Sequence, residues 1–220
     1  MSSGPTPAEL RSWRKEAQRQ IRLATNCLRG ATRKWEAACA EGLDAARELS
    51  NALLTTRHLD ALQVEELFDM PGLKAACTGK LERQQASAIA KIEAILGQLK
   101  DIVVEISQGC NNVHELTGKY SHIAAHVQRQ PVFATLTFSI IDEMFLGAKA
   151  AYDAELLART TVVDALKHVH TGTVDGATSE YGDLRKKLLI ALLAWQTGVH
   201  LDVDEMKHVI EALTQEVHTT

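Results

Sequence analysis

His122 and His126 stand four residues apart, one turn apart on a single helical stripe, and His114 sits two turns earlier on roughly the same stripe. Two imidazoles at that spacing can chelate a metal. A zinc site also needs a third or fourth ligand and groups that orient them. His114-Glu115 opens like the zincin motif H-E-x-x-H, but position 118 is Gly, so the second histidine is missing. The stripe reads as solvated or seam-flanking, with a helical-bundle metalloenzyme as the rival reading. Gly118-Lys119 is followed by Tyr120 and has no glycine at the distance a phosphate-binding loop requires. No nucleophile elbow or dinucleotide fingerprint occurs. The acidic pairs Asp142-Glu143 and Asp153/Glu155 fall in a helical pattern and read as solvent face. Cys27, Cys39, Cys77 and Cys110 form no C-x-x-C pair and read as reduced thiols of an intracellular protein. Nothing here assembles a catalytic set, a metal site or a cofactor site, and the expectation is a protein that is not an enzyme.

Charge is the next chemistry. Lys15, Arg19, Arg22, Asn26, Arg29 and Arg33 recur in steps of four and three. They lie two positions before an apolar series with the same rhythm, a rotation of about 200°, so the basic stripe faces away from the core. It reads either as a solvated face or as a docking stripe for an acidic partner surface or RNA. No aromatic residue interleaves it, so base stacking is not indicated. The formal charge of −4 predicts no general nucleic-acid affinity.

The elements that must position these groups are helices. Ala17, Ile21, Ala24, Leu28, Ala31, Trp35, Ala38, Gly42, Ala45, Leu49 and Ala52 repeat at 4-3 spacing. So do Ala88, Ile92, Ile95, Leu99, Ile102, Ile106, Gly109, Val113, Leu116, Tyr120, Ile123 and Val127. A mean period of 3.5 is the repeat of a coiled-coil seam. The second seam alone implies a helix of about 40 residues, roughly 60 Å long. Thr6-Pro7-Ala8-Glu9 supplies a cap, a first-turn proline and a capping-box carboxylate for the first helix. A connector runs from Thr55 to Gly79, with a short amphipathic helix near 59–69 broken at Asp69-Met70-Pro71. The second long helix starts near Leu73 and ends before Pro131. A third spans roughly Thr135 to His168, followed by a loop at Thr171–Ala177. A fourth carries Leu184, Leu188, Leu192 and Trp195 on one face and ends at Gly198. Asp202 caps a final helix bearing Met206, Val209, Ile210, Leu213 and Val217.

The expected fold is therefore all-α: an elongated antiparallel helical bundle with two long coiled-coil-like helices plus three C-terminal helices. Residues 1–130 form the long helical hairpin, and 131–220 pack on it or extend it. A hydrophobic fraction of 45% with only 5% aromatics suits that class. No apolar run approaches the roughly 20 residues of a membrane span, and the first residues lack the charged-then-apolar order of a signal peptide. Trp35 and Trp195 read first as core residues and second as interface anchors.

Two blocks of residues resemble a known family. Lys34-Trp35-Glu36 followed by Gly42, Ala46 and Asn51 looks like the K-W-E…G segment of the cyclin-dependent kinase 2-interacting protein family. Pro131-x-Phe133 precedes Tyr152 at that family's spacing, and Tyr152 to Val162 is similar to its Y-x-x-E-L-L-x-[KR]-x-T-V stretch, with Leu166 in register. A Trp195-bearing helix before a terminal helix with Met206 also fits. The likeness touches about 20–51 and 131–210. It implies a non-catalytic helical adaptor of a nuclear complex with AAA+ ATPases, tied to large ribosomal subunit maturation and to DNA replication and checkpoint control. The implied partners are the ATPase subunits and a second small helical subunit, with cell-cycle kinases and replication proteins beyond them. No membrane partner, direct nucleic-acid contact or cofactor is implied. Residues expected in the core or at an interface are Trp35, Gly42, Leu99, Ile102, Phe133, Tyr152, Leu156, Leu157 and Trp195; the docking stripe is Lys15, Arg19, Arg22, Arg29 and Arg33. The alternatives are a self-associating coiled-coil structural protein and the companion helical subunit of the same complex.

Overall fold

Where the apolar series runs, helix forms. A computed structural model describes residues 5–61, 72–127, 130–171 and 179–219. Among these residues five long helices occur and no strand: α1 (Pro7–Ala61), α2 (Leu73–Lys119), α3 (Phe138–Thr171), α4 (Ser179–Thr197) and α5 (Val203–His218). The fold is an all-α bundle of two long helices plus three C-terminal ones. The short connector helix expected near 59–69 and the loop at Thr171–Ala177 fall largely outside the described residues.

The caps explain the boundaries. Glu9 accepts from the Thr6 N–H at 2.8 Å and the Glu9 N–H donates to the Thr6 hydroxyl at 3.3 Å, the reciprocal pair of a capping box. The Thr6 N–H and the Thr6 hydroxyl both donate to the Glu9 carboxylate and hold it below its ordinary value. Asp202 accepts from the N–H groups of Asp204 and Glu205 and opens α5. Gly198 takes φ +64 just past α4, the left-handed conformation that closes a helix C-terminus.

Three expected boundaries move. α1 does not give way to a connector at Thr55 but continues to Ala61. The Thr55 and Thr56 hydroxyls turn back to the carbonyls of Asn51 and Ala52 inside the helix, and Gln85 donates to Thr56 at 2.8 Å. The second seam is not one uninterrupted helix to Val127: α2 ends at Lys119, and a 3-10 turn at Ser121–Ile123 and one α turn at Ala124–Val127 carry its last apolar residues. α3 starts at Phe138 rather than Thr135, because Thr137 caps it, while Thr135 donates its hydroxyl to Glu216. The preceding loop is closed by a bridge between Pro131 and Thr137.

The chain divides into two compact units that cut across the 1–130 and 131–220 division. Unit 1 is Met1–Trp35, Lys100–Leu156 and His200–Thr220; unit 2 is Glu36–Leu99 and Leu157–Val199. Each takes one stretch of α1, α2 and α3. Within unit 1, α1 and α2 run antiparallel: Cys27 lies against the Glu105 carbonyl, and Gly109 lies beside Ala24 and Cys27. α3 runs parallel to α1, with Phe138 edge-on to Trp13 and Tyr152 edge-on to Trp35. Within unit 2 the antiparallel α1–α2 pairing repeats, through Glu48–Lys91 and Thr56–Gln85. Ile21, Leu28, Trp35, Leu49, Ile92, Leu99, Ile102 and Ile106 are all buried. Each such Leu or Ile contributes roughly 1.5–3 kcal/mol relative to exposure.

Candidate functional site

In unit 1, Tyr152 and Glu155 are buried. Thr32 donates its hydroxyl to the Leu28 carbonyl at 2.8 Å, so in the 2.8 Å contact between Thr32 and Tyr152 the phenol is the donor. The Tyr152 ring meets Trp35 edge-to-face, centroids 5.2 Å apart at 81°. Glu155, expected on the solvent face, is 1% exposed, and its carboxylate accepts from the His200 N–H at 2.9 Å. A buried carboxylate is tolerated only where donors replace its water, and the backbone leading into α5 supplies one. Leu156 is half-buried. Leu157, expected in the core or at an interface, is 69% exposed and is not a core residue. It stands one position past Leu156 on the helix, about 100° round from it.

In unit 2, Gly42, Trp195 and Arg159 form a second locked set. Trp195 is buried and donates its indole N–H to the Cys39 carbonyl at 2.9 Å. A Cβ placed on Gly42 would lie 2.2 Å from Cζ2 of Trp195, so the glycine is the notch that admits the indole. The buried Arg159 donates from Nη1 to the Trp195 carbonyl at 2.8 Å, with its guanidinium carbon 4.8 Å from the indole centroid. That carbonyl belongs to the last turn of α4, where no helical N–H remains to pair it and the dipole favours a cation. Arg159 therefore caps α4 and stacks on its tryptophan together.

The basic stripe lies outward. Lys15, Arg19, Arg22 and Arg33 are exposed and Arg29 is half-buried. Arg19 pairs with Glu16 at 3.3 Å, Arg29 hydrogen-bonds Asn26, and the Arg22 guanidinium lies 5.2 Å from the centroid of the half-buried Phe133. Lys15 and Arg33 make no ion pair among the described residues. Solvated pairs of this kind contribute under about 1 kcal/mol each, so the stripe adds little to stability.

His114 Nδ1 lies 2.9 Å from Asp142, while His122 and His126 are exposed. Among the described residues no three His, Cys, Asp or Glu side chains are grouped as a metal would require. Between α3 and α5 in unit 1 lies a cleft of about 390 Å³, floored by Met144, Ala148, Leu201 and Met206 and edged by Glu143 and Glu205.

Two structurally decisive residues escape the sequence reading. Trp13 is buried against Phe138, and its signal was one further step of four before Ala17. Glu216, also buried, accepts from the N–H groups of Ala134, Thr135 and Leu136 at 2.9, 2.7 and 2.8 Å and from the Thr135 hydroxyl. Burial raises its pKa, but the hydrogen bonds from Thr135, Leu136 and Ala134 together outweigh that and hold the carboxyl below its ordinary value. No local pattern marks it, because its donors lie some eighty positions away. No family model matches this chain, and no curated protein matches it. The class so defined is an all-helical bundle in which Glu155, Arg159 and Glu216 serve packing inside, with charged and apolar helix faces outside among the described residues.

Proposed function

We propose that this chain is a non-catalytic helical adaptor of a nuclear assembly with AAA+ ATPases, acting in large ribosomal subunit maturation and in DNA replication and checkpoint control. The supporting observation is the fate of the residues that carry the family resemblance. Trp35, Gly42, Tyr152, Glu155, Arg159 and Trp195 are buried in packing while Lys34, Glu36, Asn51, Pro131 and Leu157 are exposed, which supports reading the pattern as a helical framework with an outer face. The exposed basic stripe on α1 supports the same reading, since a row of solvated cations that contributes little to folding can steer an acidic partner.

The adaptor works by mass action. Its helices hold binding faces in fixed register, and a companion helical subunit and the ATPase occupy different faces, so the motor is kept on its client with no bond chemistry in this chain. The test is affinity purification of the tagged full chain from cell extract with identification of co-purifying proteins. Recovery of AAA+ ATPases with a second small helical protein is expected. A chain recovered alone, or only with copies of itself, overturns the proposal.

A further inference from the structure

Residues 188–195 read Leu-Leu-Ile-Ala-Leu-Leu-Ala-Trp, eight apolar residues in succession on α4. On a helix such a run is apolar in every direction, and a helix apolar all round is stable in water only when it is covered all round. The chain covers one side. Leu188, Ala191 and Trp195, at steps of three and four, are 2%, 7% and 1% exposed. The opposite side is bare: Leu189 is 55% exposed, Ile190 66% and Leu193 49%. Leu189 and Leu193 are one turn apart and Ile190 lies beside them, so the three make one contiguous patch.

The same outer face carries charge at its N-terminal end. Lys186 lies one turn before Ile190 and three residues before Leu189, at the middle of the outer face, with Arg185 and Lys187 on its two flanks. All three are exposed and make no ion pair among the described residues; with the exposed Asp183 one turn earlier, this end of the face keeps an excess of positive charge. We infer that the outer face of α4 is the docking surface for an amphipathic helix of a different protein, whose apolar stripe covers Leu189, Ile190 and Leu193 and whose acidic residues meet Lys186 and its neighbours.

A second copy of this chain does not fit the face. Two α4 helices pairing antiparallel through this patch bring Lys186 opposite Gln196 and Thr197, which offer no negative charge. Pairing parallel brings Lys186 against Lys186. Neither arrangement brings more than the single Asp183 to the three cations, whereas an acidic helix neutralises them all. The inference deepens the adaptor reading and rests on it for the existence of a partner; the surface and the chemistry come from α4.

The experiment uses the full chain and a fluorescein-labelled peptide of about 20 residues, long enough to form helix on contact, with leucines at i, i+3, i+4 and i+7 and glutamates elsewhere. Fluorescence polarisation is expected to show saturable binding that weakens as salt is raised. Leu193→Asp, on the bare side, should weaken binding at least about tenfold, a loss of roughly 1.4 kcal/mol, while lowering the melting temperature of the chain by no more than about 4 °C, the cost of an aspartate late in an exposed helix face. Lys186→Glu should weaken it too, and a peptide with lysines in place of the glutamates should bind the Lys186→Glu chain better than it binds the original. Absence of binding overturns the inference, as does equal binding by the Leu193→Asp chain or by the lysine peptide. Self-association of the chain that Leu193→Asp abolishes overturns it in favour of a second copy. If the peptide fails while ATPases still co-purify, this surface is wrong and the adaptor reading stands; if the peptide binds and no ATPase is recovered, the reverse holds.

Discussion

Adding a single methyl group at Gly42 tests the packing of unit 2. A Cβ there would sit 2.2 Å from Cζ2 and 2.9 Å from Cε2 of Trp195. Ordinary carbon–carbon contact begins near ~3.5 Å, so the indole must withdraw by about 1 Å or α1 must shift. The indole is held in place: its N–H is bound to the Cys39 carbonyl, the Arg159 guanidinium lies over its face, and it is fully enclosed. Overpacking of this kind costs roughly 1–3 kcal/mol, and breaking the indole hydrogen bond adds about 1 kcal/mol. Against this, replacing a mid-helix glycine by alanine stabilises by about 1 kcal/mol. Gly42→Ala should therefore destabilise by about 1–3 kcal/mol. Gly30→Ala and Gly97→Ala, where a Cβ meets nothing within 4 Å, should stabilise by up to about 1 kcal/mol. Urea unfolding followed by far-ultraviolet circular dichroism reads the midpoints directly. In a Trp195→Phe background, whose smaller ring vacates the notch, the penalty of Gly42→Ala should shrink or reverse, and the cycle isolates the pair. A Gly42→Ala midpoint raised as far as that of Gly97→Ala would refute the notch.

Other outcomes follow from the same packing. Trp35→Ala, removing a buried ring and its edge contact with Tyr152, should cost about 3–5 kcal/mol; an unchanged thermal transition would place Trp35 outside the core. Glu216 has its carboxyl lowered in the folded chain from an ordinary value of 4.5. Its stabilising contribution is therefore fully present above that value and is lost as pH falls through the lower folded one. Glu216→Gln should flatten the acid limb of the stability–pH curve and cost about 2 kcal/mol near neutrality, whereas a curve identical to that of the original chain would contradict the assignment. Burial pushes the Cys110 thiol up to about 12, so native chain titrated with Ellman's reagent near pH 8 should spare Cys110 until denaturant is added. Prompt modification of Cys110, located by peptide mapping, would show that α2 opens there.

The two seams, the Thr6–Glu9 box, the Asp202 cap and the stop at Gly198 were legible because each depends on neighbours within about one turn along the chain. The face of a helix that turns inward follows from spacing alone, which is why Ala17 to Ala52 and Ala88 to Val113 reads as core. The carboxylates were not legible. A carboxyl group is ordinarily costly to bury, so local pattern assigns Glu155 to solvent; the His200 N–H that helps to offset that cost lies some forty-five positions away. Glu216 and its four donors are the same case at greater separation. The depth of the Gly42 notch is likewise invisible until Trp195 is laid against it.

What the amino-acid sequence by itself determined is the set of helices and the inward stripe of the long ones, since both rest on periodicity and capping. The tertiary structure alone decided which polar groups go inside and which side of α4 is left bare. Leu184, Leu188, Leu192 and Trp195 name one face of α4, but in a run of eight apolar residues the opposite face is just as apolar, so spacing does not say that it goes uncovered; and a buried carboxylate is tolerated only where donors are brought to it.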